Sequence, residues 1–102
     1  MPRFDIYRNP NPQAGHPLYL DVQSDLVSTA TRWCIPLRPQ QPGQPIVKRA
    51  QGLLAIDGTS YVIDTPNLLA VPAALLRSAV LRLSAHDQSV AEASIEFMLR
   101  GY

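Results

Sequence analysis

Asp57 and Gly58 stand between two short runs rich in apolar and β-branched residues, 53–56 and 60–63. A two-residue type I′ turn needs positive φ at both central positions, and Asp-Gly is one of the pairs that supplies it. The dipeptide therefore lays two strands antiparallel, side by side, and everything else must be built onto that hairpin. Ten prolines among 102 residues narrow the choice further, because proline breaks both helix interiors and central strand ladders. The final stretch has none and reads as the chain's one full helix.

That helix is expected to open at Ser89. Ser89 and Glu92 have the spacing of a capping box, in which each side chain satisfies the other's backbone N–H. Ala91, Ile95, Met98 and Tyr102 follow at intervals of four, three and four, one helical face. Val90, Ala93 and Phe97 form an adjoining stripe. Gly101 is placed to stop the helix, being free to take positive φ. A band this wide fits a helix docked on a sheet, or a helix with one stripe on the sheet and the other on a partner.

Upstream, residues 4–7 alternate apolar and polar as a half-buried strand. Residues 18–23 make the best strand of the front half, and 32–35 another, ended by Pro36. Residues 9–17 hold three prolines and a glycine, and 36–45 hold four prolines and three glutamines; both read as loops. Residues 26–31 suit a turn or short extended piece, and 64–67 a turn. Residues 71–76 resemble a helix start with Pro72 at a tolerated first position. Residues 80–83 fit strand or helix. The sum is a mainly β chain: a small antiparallel sheet or barrel with one C-terminal α-helix, residues 1–102 forming one domain without repeats.

The formal net charge is +1 with no basic run, which favours neither nucleic acid nor an anionic membrane as partner. Cys34 has no second cysteine to pair with and reads as a small core residue. The first residues, MPRFDIYRNP, carry charges and prolines where a signal peptide has an apolar run, and no segment approaches transmembrane length. A cytoplasmic protein is expected.

Catalytic constellations are scarce. His16 and His86 are far apart with no cysteine or glutamate spacing to join them into a metal site. Asp21 and Asp25 would need a shared pocket to act as acid and base; Asp25 with Ser24 more simply supplies turn hydrogen bonds. The five glycines are scattered rather than gathered into a phosphate loop. No catalytic residue, metal or cofactor is expected, and the chain does not read as an enzyme.

The run LYLDVQSDL at 18–26, followed by RWCIPL at 32–37, resembles the front half of the CcdB family, plasmid-addiction toxins that poison DNA gyrase. The likeness continues through Ile56-Asp57-Gly58, Leu69-Ala70-Val71-Pro72, Leu83-Ser84-Ala85-His86, Ile95-Glu96-Phe97-Met98 and Gly101, and so covers nearly the whole chain. The VQSD run with its apolar flanks is its most specific part. The resemblance implies an SH3-like barrel or sheet capped by the helix. It also implies a homodimer whose helices, Met98 included, meet about the two-fold axis and place both chain ends together. The paired ends of the family enter the A subunit of DNA gyrase and trap the enzyme on cleaved DNA, and an antitoxin with a disordered tail prevents or reverses this. By resemblance the gyrase-facing residues are Leu26, Val27, Glu96, Arg100, Gly101 and Tyr102. The family carries tryptophan where this chain has Arg100, isoleucine where it has Tyr102 and asparagine where it has Glu96, and the loop at 9–17 is longer here. Two other functions fit the architecture: a toxin-fold messenger-RNA endoribonuclease, and a non-toxic family member that keeps dimerisation and antitoxin binding.

Overall fold

The computed structural model describes residues 2–11 and 13–101. Its strands are β1 (Asp5–Arg8), β2 (Leu18–Asp21), β3 (Thr31–Pro39), β4 (Gly52–Ile56), β5 (Thr59–Ile63), β6 (Leu69–Pro72) and β7 (Ala79–Arg82), followed by helix α1 (Ala85–Arg100). Every strand pairing is antiparallel. The order across the curled half-barrel is β4-β5-β3-β2-β1-β7, with β6 also on β3. The mainly β architecture with one C-terminal helix is the one the sequence implied.

Strand β3 is the axis. One edge pairs with β2, and the other is divided between β6, on Thr31 to Cys34, and β5, on Leu37 to Pro39. That division explains how β3 runs through Pro36, where the sequence pattern suggests an end. A residue's N–H and C=O leave a strand on the same side. The Pro36 carbonyl accepts from the Asp64 N–H at 3.1 Å. The missing donor therefore faces the gap between β6 and β5, where no ladder bond is lost.

Other boundaries shift for equally local reasons. Phe4 does not join β1 because its φ is 73°, left-handed and outside the β region. Strand β2 stops at Asp21 because the Trp33 N–H donates to the Gln23 side chain at 3.0 Å instead of to backbone. Residues 71–76 are the end of β6 followed by a 3-10 turn, Ala73–Leu75, and 79–82 settle as strand. At the β4–β5 hairpin both central residues take positive φ, Asp57 at 49° and Gly58 at 81°, as a type I′ turn requires.

The helix begins at Ala85, earlier than Ser89. Ser84 is the N-cap, its hydroxyl accepting from the Asp87 N–H at 3.2 Å. The anticipated Ser89–Glu92 box does not form: Ser89 donates to the Ala85 carbonyl, and Glu92 stands 3.8 Å from Arg3. Gly101 ends the helix at φ 79°, its N–H on the Phe97 carbonyl.

Strand alternation gives the sheet two covered faces. Ile6, Leu18, Leu20, Ile35, Leu37 and Ile63 lie in the core under α1, whereas Tyr7, Tyr19 and Cys34 pack with Val71 and Leu76 on the other side. Helix α1 sets Ala91 and Ser94 inward, flanked by half-buried Val90 and Ile95. A buried hydroxyl pair, Thr65 to Ser94 at 2.7 Å, ties it to the 3-10 turn Thr65–Asn67. The Ser94 hydroxyl donates to the Ala91 carbonyl, so its only proton is used and Thr65 is the donor of the pair. The two apolar stripes are thus not divided one to the sheet and one outward. Val90 and Phe97, of the second stripe, are half-buried, Phe97 beneath the Arg49 guanidinium at 4.7 Å. What stays exposed is Ala93 of that stripe and, among the large apolar side chains, Met98 and Leu99. Among the described residues no helix is long and apolar enough to cross a membrane.

Candidate functional site

Asp21 is fully buried and would be costly there without a counter-charge. Arg32 supplies one as a two-pronged pair: Nε to Oδ2 at 2.8 Å and Nη2 to Oδ1 at 3.0 Å. The bond to Asp21 raises the Arg32 pKa, outweighing the lowering by burial, so the guanidinium stays charged. Its other protons reach outward, Nη2 to the Gln23 carbonyl at 3.2 Å and Nη1 to the Val27 carbonyl at 3.4 Å. Gln23, itself buried, donates from Nε2 to the Val27 carbonyl at 2.8 Å and to Thr29 Oγ1 at 3.2 Å.

This network holds the loop of residues 24–30. Within the loop, Ser24 accepts from the Leu26 N–H through Oγ and from the Val27 N–H through its carbonyl. Asp25 accepts from the Arg3 N–H at 2.8 Å and lies 3.7 Å from Arg32. Asp21 and Asp25 therefore act on one arginine as anchors, and they do not form an acid/base pair. The result is a well-tied loop whose apolar side chains point away from the protein: Leu26 is 96% exposed and Val27 47%.

Val27 is also one wall of a groove of about 670 Å³, whose other apolar lining comes from Val22, Trp33, Leu68, Ile95, Met98 and Leu99. Two regions found separately in the sequence, the loop after VQSD and the end of the helix, thus meet in one surface. Leu26 rises from the same loop without lining the groove. Glu96 and Arg100 lie outside its walls and form an ion pair of their own at 3.1 Å, one helical turn apart. Gly101 follows, exposed. Tyr102 lies outside the described residues.

Sequence reasoning missed Trp33, Leu68 and Leu99 as surface residues. Trp33 had one usable signal: in a strand it must face opposite to Cys34. Reading Cys34 as a core residue already implied an outward Trp33. The other candidates remain ordinary: His16 is tilted against Tyr19 with ring centres 5.4 Å apart, and His86 is exposed. Cys34 is fully buried, and burial first, with the Asp21 charge, pushes its thiol up to about 12. It is therefore protonated and unreactive near neutrality.

Chemically the surface offers shape and apolar area rather than a reactive group. Compared with known protein families, residues 3–101 match the model described as CcdB protein. No curated protein matches the chain.

Proposed function

The chain belongs to the CcdB family, a family of toxin–antitoxin toxins, and we propose that it acts in the cytoplasm by binding the A subunit of DNA gyrase and trapping gyrase on cleaved DNA, with a cognate antitoxin neutralising it. The observation that carries this reading is Leu26, an almost wholly exposed leucine on a loop fixed by a buried ion pair. A loop so held has little backbone freedom left to lose on binding. Burying one leucine contributes about 1.5–3 kcal/mol. The toxin acts as a wedge and not a catalyst: it stabilises an intermediate of another enzyme.

In this reading a second copy covers Met98 and Leu99, making a homodimer about the helices and bringing two helix ends to the target. Leu26, Val27, Glu96, Arg100, Gly101 and Tyr102 face gyrase. The immobilised A subunit of gyrase should retain the native protein but not Leu26→Asp, and equal retention of both would remove Leu26 from the interface. Co-expression with the adjacent small gene should give a soluble complex; two proteins that purify apart at low salt would end the toxin–antitoxin assignment.

The Glu96–Arg100 pair favours a second reading of the same scaffold. Where the family offers a flat tryptophan to stack on a partner arginine, this chain offers a paired cation. Burying Arg100 against another arginine would set like charges together, and losing an aromatic anchor costs about 2–4 kcal/mol. Dimerisation and antitoxin binding would then outlast strong poisoning.

A further inference from the structure

Of the nine cationic side chains, five stand against carboxylates: Arg3 on Glu92, Arg32 on Asp21 and Asp25, Arg38 on Asp64, Arg82 on Asp5 and Arg100 on Glu96. Arg49 lies over the Phe97 ring. Arg8, Lys48 and Arg77 have neither a carboxylate nor an aromatic ring against them among the described residues. Two of those three line one hollow of about 440 Å³, with Pro10, Leu75 and Ser78 completing it. It shares no lining residue with the apolar groove.

The walls of this hollow are fixed by backbone bonds. Arg8 ends β1, and beyond it Asn9 donates from its N–H to the Pro17 carbonyl at 2.8 Å and from Nδ2 to the His16 carbonyl at 2.9 Å, which sets Pro10 in place. Opposite, the 3-10 turn that carries Leu75 is held by the Ala73 N–H on the Ala30 carbonyl at 2.9 Å. Arg77 and Ser78 then lead into β7, a strand that ends the sheet and pairs with β1 alone. Two like charges are therefore kept in one concave place with no carboxylate among the lining residues, although the chain has carboxylates enough to neutralise most of its other cations.

We infer that this hollow receives an acidic peptide segment of a partner protein. Its Asp or Glu carboxylates meet the two guanidinium forks, each able to bind a carboxylate through two parallel hydrogen bonds, and an intervening apolar side chain rests on Leu75 and Pro10. Leu75, 43% exposed, is open to that contact. Nucleic acid fits less well. It wants a track of cations or a stacking face, and this site has two cations, no aromatic wall and a chain of net charge +1. The inference is independent of gyrase binding, which uses other residues.

The test is a titration of the full chain followed by NMR, observing the side-chain Nε–Hε signals of the arginines and the methyls of Leu75. The probes are acetyl-Glu-Leu-Glu-amide, acetyl-Gln-Leu-Gln-amide, inorganic phosphate and a short thymidine oligonucleotide. The acidic peptide should shift Arg8, Arg77 and Leu75 saturably and leave the paired Arg38 still. The glutamine peptide should not. In the double variant Arg8→Gln, Arg77→Gln, which removes both charged contacts, the Leu75 response should weaken about tenfold or more. No response, an equal response to the glutamine peptide or to phosphate, or tighter binding of the oligonucleotide would each overturn the inference.

Discussion

Leu26 and Gln23 are neighbours with opposite duties. Leu26 touches little of its own protein, so Leu26→Ala should leave stability within about 0.5 kcal/mol while weakening binding to the A subunit of gyrase by about tenfold or more. Gln23→Leu should do the reverse in order: it strands the Trp33 N–H and leaves the Val27 carbonyl only its longer bond from Arg32, costing about 1–3 kcal/mol, and reduces binding only through the loosened loop. Urea denaturation beside a binding titration separates the two. Cys34 gives a pH prediction. Its folded thiol has its pKa raised to about 12, so the folded state keeps a proton that the unfolded chain gives up above its ordinary value near 9. Stability is fully present below that value and is lost as pH rises toward 12, by roughly 1.4 kcal/mol per unit while only Cys34 contributes. Tyr7 and Tyr19, raised by burial as well, add in the same direction above 10. Urea midpoints near about pH 8 and about pH 10 should differ in native protein and differ less in Cys34→Ala; equal slopes would refute the assignment.

At the scale of elements, legibility followed how local the determining chemistry was. The hairpin was readable because Asp57 and Gly58 carry their own backbone preference. The helix was readable as an element but not in its start: Ser84 with Asp87 and Ser89 with Glu92 both have the spacing of caps, and the choice was made by the contact of the preceding strand with β1 and by Arg3 taking Glu92. Pro36 misled because its tolerance depends on a distant fact, the change of partner along β3. The candidate surface was half legible. Val27 and Met98 were named, but their union with Trp33 exists only once α1 is docked. That docking depends on Gly52. A Cβ there would sit 2.7 Å from Val90 Cγ1, and a β-branched side chain has little room to swing away. Gly52→Ala should cost about 1–3 kcal/mol through overpacking, and adding Val90→Ala should recover part of it. Additive urea midpoints in the double variant would show that the helix does not rest on β4 as described.

At the scale of the molecule, exposed apolar side chains gather at one surface, where Val27, Trp33, Met98 and Leu99 line the groove and Leu26 stands on the adjoining loop. Patches of this kind mark contact with another protein. A homodimer through α1 is expected, and sedimentation at micromolar concentration should report about twice 11.3 kDa; a monomer there would remove the paired helix ends. The toxin reading itself is tested most directly by plasmid cleavage with purified gyrase, comparing native protein, Arg100→Trp and Arg100→Trp with Leu26→Asp. Weak accumulation of linear DNA is expected with native protein, strong accumulation with Arg100→Trp and none once Leu26 is also charged. Efficient trapping by the native chain would show that the Glu96–Arg100 pair does not blunt the toxin, and an absence of cleaved DNA with both native protein and Arg100→Trp would contradict gyrase as the target.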